Sequence, residues 1–277
     1  MSVFCVERFL SLSMMNGYFG QFVGITSSNS QEFFEVIYVL FPIVLSVVHI
    51  YVGKFYWLHK IIPKERWISL GSGVSIAYVF LEILPELTQA QRKIEQTQLA
   101  VIRYLESHVY ILALLGLSLF YGLELLALRS RRQNRESKQV DTTSLDVFWV
   151  HIGAFAIYNF LIGEVFSKIE QRDLLGAFLF FIAIALHFLI NDDGLRAHHK
   201  NIYDRVGRWL LAGALFLGWV SSQWWELHEA AIASLWAFIA GGIVFNTLKE
   251  EIPERQESCF WAFSIGAIGY TILLLLT

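Results

Sequence analysis

Charge is scarce in this sequence. Asp, Glu, Lys and Arg make up 16% of its 277 residues, where a soluble domain carries roughly 25%. The few charges sit between long apolar runs, so a soluble globular fold is excluded. Cysteine is scarcer still: Cys5 and Cys259 stand at opposite ends of the chain. They form no CxxC pair and no disulfide framework, so the redox compartment cannot be read from them. No P-loop, GxGxxG, GxSxG or HExxH occurs, which removes the common constellations for nucleotide, hydride, acyl-transfer and zinc-protease chemistry. No enzyme activity and no nucleic-acid partner are expected. Residues 1–33 are partly apolar but lack a basic stretch ahead of the apolar part, and Gly17, Gly20 and Gly24 interrupt them. They read as an interfacial or loosely ordered extracytoplasmic tail rather than as a signal peptide.

What is present is oil. Hydrophobic residues account for 56% of the chain, and mean hydropathy is +0.52. Windows of about 20 apolar residues predict an all-α, polytopic membrane bundle of eight spans, near 34–53, 67–87, 109–128, 146–166, 174–191, 208–224, 230–249 and 259–276. The connections after the odd-numbered spans hold most of the Lys and Arg, with Arg129, Arg131, Arg132, Arg135 and Lys138 in one of them. The opposite side holds Arg8, Arg92, Lys93, Arg103, Lys168 and Arg172. The positive-inside rule therefore predicts both termini outside the cytoplasm. The stretch 129–144, "RSRRQNRESKQVDTTS", reads as a flexible cytoplasmic linker between three spans and five. A plasma or inner membrane is the expected location, with the lipid bilayer as solvent.

One motif occurs twice. Sliding the chain by 168 residues lays "GVSIAYVFLEILPE" (73–86) over "GGIVFNTLKEEIPE" (241–254), pairing Gly73 with Gly241, Glu82 with Glu250, Pro85 with Pro253 and Glu86 with Glu254. The copies fall in the second span from each end, and those spans run in opposite directions. This is the arrangement of an inverted repeat, three spans plus three around two central ones, with a substrate site near mid-membrane. On that reading Glu82, Glu86, Glu250 and Glu254 line the two mouths of a pathway. The plain alternative is that they are solvated residues at span ends.

Ionisable and amide groups at membrane depth mark candidate pathways. In the fourth span His151, Tyr158 and Asn159 share one face, and Gly163 follows on the same stripe, where it would allow close helix approach. In the fifth, His187 and Asn191 are one turn apart, with Asp192 and Asp193 following. Imidazole, amide oxygen and carboxylate facing one another suit a divalent first-row metal. Neighbour-to-neighbour hydrogen bonding is the competing role for each. Glu124 is expected to pair with Arg129 or Arg131 at the end of the third span. The acidic connection with Glu226, His228 and Glu229 is a candidate approach to the pathway. His198 and His199 either receive an ion inside or belong to a solvated loop.

The order of spans, the long linker after the third, "YNFLIG", "LHFLIND" and "AGGIVFNTLKEEIPE" together resemble the ZIP (Zrt/Irt-like) metal transporters over about residues 34–276. The resemblance implies import of zinc, iron, manganese or a similar dication, a homodimer, and a metal site between spans four and five. The family's His-Asn-Phe-x-(Asp/Glu)-Gly reads Tyr158-Asn159-Phe160-Leu161-Ile162-Gly163, and its His-Glu-x-Pro-(His/Glu) reads His187-Phe188-Leu189-Ile190-Asn191. Asn159, His187 and Asn191 remain as candidate ligands, with Glu82 or Asp192 as the acid. Three neutral ligands compensate a dication's dehydration poorly in a low-dielectric bundle, so the implied site is a weakened one. Two alternatives stand beside transport of a metal. One is a ZIP-fold protein acting as a regulatory or assembly partner. The other is a carrier of another small solute, held by Tyr158 and Asn159.

Overall fold

The computed structural model describes residues 27–51, 63–95, 109–138, 140–166, 174–224, 227–251 and 259–276. Among these residues the structure is all-helical, with no strand. The helices are α1 (Ser27–Tyr51), α2 (Lys64–Tyr78), α3 (Leu84–Glu95), α4 (Val109–Lys138), α5 (Leu145–Phe166), α6 (Leu174–His199), α7 (Arg208–Ser221), α8 (Glu229–Glu251) and α9 (Phe260–Leu275). The chain divides between Phe41 and Pro42 into two units. The first is described only as the leading part of α1, and the second holds the rest of α1 and all the other helices. Five stretches are long and apolar enough to cross a bilayer: Lys64–Thr88, Val109–Ser137, Leu145–Glu164, Leu175–His199 and Ala231–Lys249. That is the signature of an integral membrane protein, because only a helix satisfies its own backbone in hydrocarbon. Val39–Tyr51 and Phe260–Leu275 are shorter apolar helices.

Two π-helical turns interrupt the helices. Val79–Ile83 joins α2 to α3, with the Leu84 amide bonded to the Val79 carbonyl. Pro85 has no amide hydrogen and its ring crowds the carbonyl four residues back, and the widened turn just upstream accommodates it. Glu82 sits on this turn. The second, Tyr203–Gly207, leads into α7, so the helical rod ending at Ser221 is longer than α7 alone. Between α6 and this turn Lys200 adopts a left-handed φ of 49°, the helix-ending conformation that usually belongs to glycine.

The stretch 129–144 differs from the flexible linker expected of it. α4 continues through it to Lys138, held by Arg132 on Glu136 at 2.9 Å and by Arg131 and Arg135 on Asp141 at 2.7 and 2.6 Å. The two guanidiniums keep the Asp141 carboxyl well below its usual range. The staple is therefore complete above the ordinary carboxylate range and is lost only as strong acid protonates Asp141.

Three helix pairs cross at mutual glycines in one register. A Cβ on Gly73 would lie 2.2 Å from the Phe263 carbonyl oxygen and 2.9 Å from the Ala267 nitrogen, and one on Gly266 would lie 2.2 Å from the Leu70 oxygen. A Cβ on Gly241 would lie 1.8 Å from the Ala113 oxygen and 2.8 Å from the Leu117 nitrogen, and one on Gly116 would lie 2.1 Å from the Phe238 oxygen. A Cβ on Gly163 would lie 2.2 Å from the Leu215 oxygen and 2.8 Å from the Trp219 nitrogen, and one on Gly218 would lie 2.0 Å from the Phe160 oxygen. In each pair the glycine faces the carbonyl three residues before its partner glycine. With no side chain between them the backbones touch.

The pairs are also parallel. Along α2 and α9 the Cys259 amide donates to the Ser69 hydroxyl, and Tyr78 then meets Tyr270. Along α4 and α8 Phe120 packs at Gly242 and Glu124 then meets Lys249. Along α5 and α7 Ile152 packs at Gly207 and Glu164 then meets Ser221.

Gly241→Ala is therefore expected to destabilise the protein by about 1–3 kcal/mol through backbone overlap. Gly122→Ala, with nothing within 4 Å of its Cβ, gains helix propensity and is expected to be neutral or stabilising by up to about 1 kcal/mol. Thermal unfolding in detergent of the two variants checks the contrast. Equal stabilities would mean that the crossings are loose.

Candidate functional site

Hydrocarbon offers no hydrogen bonds, so a polar side chain buried in a membrane bundle must find a partner inside the protein. On α5 and α6 it finds three kinds of company.

The first group joins α1, α5 and α6. His49 Nε2 lies 2.9 Å from Asn159 Oδ1, and its Nδ1 lies 2.9 and 3.0 Å from the two oxygens of Asp192. Asn159 Nδ2 donates to the Phe155 carbonyl at 2.8 Å, which aims the amide oxygen at the imidazole. Nε2 therefore carries a hydrogen. The Tyr203 hydroxyl donates to Asp192 Oδ1 at 2.5 Å. The His49–Asp192 pair is thereby met by further hydrogen bonds on both sides, from Asn159 and from Tyr203. His49, Asn159, Asp192 and Tyr203 are all buried, and the Phe188 ring stacks 4.5 Å from that of His49. Asp192, one of the two candidate acids, is buried in the bundle.

The second group lies one turn back along α6. His187 Nε2 is 3.1 Å from the Tyr158 hydroxyl and 2.9 Å from Asn191 Nδ2. Tyr158 also packs on α8, with its ring at the Gly242 backbone and its hydroxyl 3.5 Å from the Ile239 carbonyl. Two atoms of this group, His187 Nδ1 and Asn191 Oδ1, are buried with no hydrogen-bond partner. On α8, Asn246 has both amide atoms in that condition, as has Thr247 Oγ1. Asn246 follows Gly242 by one turn. On α2, which packs against α6 at Gly71, Ser72 and Ser75 hydroxyls are likewise buried and unpartnered.

A third group occupies the far end of α6. Glu124 accepts from His198 at 2.7 Å and from Lys249 at 2.9 Å, rather than from Arg129 or Arg131 as its place in the sequence suggested. His151 meets His199 at 2.9 Å, and His199 meets the Thr143 hydroxyl at 2.6 Å. His198 and His199 are buried at the end of a helix, not in a solvated loop.

The structure thus brings Asn159 together with Asp192, and Tyr158 together with His187 and Asn191, but in two adjacent groups instead of one. His151 shares their helix face yet lies seven residues from Tyr158, about 10 Å along the axis, and serves the third group. Glu82 and Glu86 are half-buried on the π-turn and α3. Asp193 pairs with Lys64 at 2.6 Å. The side chains of Glu250 and Glu229, and the whole of Glu226 and Glu254, lie outside the described residues, as does the second mouth expected of the repeat. Among the described residues no group of three or more His, Cys, Asp and Glu side chains is arranged to hold a metal ion. His49, Thr143, Tyr203 and Lys249, with Asn246 and Thr247 on α8, are residues that sequence reasoning missed. His49 is the one imidazole in "FPIVLSVVHIY", a stretch without Asp, Glu, Lys or Arg, and that rarity was the available signal. Compared with protein-family models, with curated proteins and with solved structures, the chain matches none.

A buried pair broken on one side leaves an uncompensated polar group, so His49→Ala is expected to cost about 3–5 kcal/mol. The double change His49→Leu with Asp192→Leu removes both partners and should cost less than the single one. Unfolding of the three proteins in mixed micelles measures the difference. A double variant less stable than His49→Ala would mean that the two residues do not depend on each other.

Proposed function

We propose that this chain is a transporter on a ZIP-like scaffold of eight spans, three plus two plus three, carrying a divalent cation of the zinc, iron or manganese class toward the cytoplasm through the polar core of α5, α6 and α8. One observation carries the reading: the buried, unpartnered polar atoms of His187, Asn191, Asn246 and Thr247. Folded proteins leave few such atoms, and several on helices that pack together suit a polar guest in transit.

The chemistry has a definite form. While Asn191 Nδ2 faces His187 Nε2, that nitrogen accepts, Nδ1 carries the hydrogen, and Asn191 Oδ1 offers the lone pair. Turning the amide over, with a proton released from Nδ1 and one taken up at Nε2, reverses the roles. Nε2 then donates to the amide oxygen and Nδ1 presents its lone pair to a metal. Neutral ligands hold a dication loosely, and Asp192, one residue along, supplies negative charge when it leaves His49.

The eight-span reading gains support from direction. Parallel partners in a membrane have an odd number of crossings between them. α4 with α8, α5 with α7, and α2 with α9 all satisfy this only if α7, extended by its π-turn, crosses as well. The inverted repeat gains support from the glycines. The crossing of Gly73 with α9 and that of Gly241 with α4 share one register, each glycine facing the carbonyl three residues before its partner glycine. The resemblance further implies a homodimer, whose mass in detergent is the direct readout.

A second reading is favoured by a separate observation. His49 already occupies Asn159 and Asp192, two of the ligands that a metal would need. A ZIP-fold protein that serves as a regulatory or assembly partner in the membrane fits that closure.

Uptake of Zn²⁺, Fe²⁺ and Mn²⁺ by reconstituted vesicles separates the two. Transport predicts saturable uptake of at least one, reduced about tenfold by Tyr158→Phe, which only orients His187, and at least as much by His187→Ala. No uptake and no binding of any of the three by the wild type would leave the partner role.

A further inference from the structure

The arginine end of α4 carries a cavity of about 420 Å³ lined by Leu128, Arg131, Arg132, Arg135 and Glu136. Leu128, Arg131, Arg132 and Arg135 recur at the spacing of one helix face. We propose that this cavity binds the headgroup of an anionic phospholipid. The inference depends on the protein lying in a bilayer and is independent of any transport activity.

The apolar part of the argument comes from α4 itself. Leu114, Tyr121, Leu128 and Arg135 follow one another at seven-residue intervals, exposed by 59, 52, 37 and 65%. Such a stripe presents hydrocarbon through the membrane and ends on a guanidinium. A ligand that follows it must be an amphiphile, with a chain lying along Leu114 and Tyr121 and an anion at Arg135. A soluble phosphate would use the guanidiniums and leave Leu128 and the stripe behind it unused.

The charge balance favours an anion. Four guanidiniums, Arg129, Arg131, Arg132 and Arg135, stand against two carboxylates, Glu136 and Asp141. Lys200, 3.7 Å from Asp141, adds to the excess. Arg131 and Arg135 spend part of their hydrogen-bonding capacity on Asp141 and Arg132 part of its own on Glu136. Each guanidinium has five N–H donors, so donors remain for phosphate oxygens. Glu136 is the one element of the lining that opposes an anion. It competes with the phosphate for Arg132, which gives the proposal a directional test: removing its charge should tighten binding.

The full chain in nanodiscs of equal phosphatidylglycerol and phosphatidylcholine, followed by native mass spectrometry of the retained lipid, reads the preference directly. The wild type is expected to retain phosphatidylglycerol over phosphatidylcholine by on the order of tenfold, since each basic residue near a membrane surface contributes appreciably to anionic-lipid affinity. Arg132→Gln with Arg135→Gln should bring the two lipids close to equality. Glu136→Gln should raise the preference. Arg132→Gln alone, which leaves the Asp141 staple intact, should fall between. Equal retention by the wild type, or an undiminished preference in the double variant, overturns the proposal. Release of the bound lipid by millimolar inorganic phosphate also overturns it, since the site would then belong to a soluble anion.

Discussion

The structure depends on one constraint: within the bilayer there is no water to take over a hydrogen bond. Every polar side chain that the apolar helices carry inward must be answered by another. The His49 imidazole shows how fully this can be met. Each ring nitrogen meets an oxygen, Asn159 is oriented by its own helix carbonyl, and Asp192 receives a second donor from Tyr203. Four elements of the chain are tied together by the His49–Asp192 contact and the hydrogen bonds that join it to Asn159 and Tyr203. The same logic joins Glu124, His198 and Lys249 at the other end of α6, where a carboxylate receives two donors at once.

Against this background the unanswered atoms become informative. His187 and Asn191 answer each other on one side and nothing on the other. Asn246 and Thr247 on α8 share that condition. On α8 the glycine crossing with α4 holds the backbone that carries Asn246 and Thr247. α4 is locked to α8, α5 to α7, and α2 to α9 by backbone contact at the resolution of single atoms. These parallel pairs set the positions of α5 and α8 before their polar side chains are considered. A polar lining between pinned pairs is a reasonable place for a guest that comes and goes.

Much of the fold was legible in the sequence because hydropathy and helix length are nearly the same quantity in a membrane. The apolar windows lie within or close to the helices that form, and Gly163 stands where its spacing placed it, against another backbone. The boundaries were less legible where charge misled. α6 runs on past Asn191 to His199, because Asp192, His198 and His199 each find a buried partner and need no water. α4 extends through arginine-rich sequence, because Asp141 returns to staple it. The site was legible by residue type but not by grouping. Asn159 and His187 both face inward, as their depth implied. Their separation into two groups is set by His49 and Tyr203, which lie 110 residues before Asn159 and 11 after Asp192. No spacing rule links residues so placed, and only the tertiary fold brings them together.

The central claim is that the unpartnered atoms of α6 and α8 line a space that polar species reach. It is tested most directly by thiol accessibility in membrane vesicles. With Cys5 and Cys259 replaced by Ser, single cysteines at Asn191, Asn246 and, as a dry reference, Ala183 would be treated with a small, charged, membrane-impermeant thiol reagent. The account predicts modification at 191 and 246 from at least one side of the membrane and none at 183. Unreactive thiols at both 191 and 246 would contradict it and would make this core a closed scaffold.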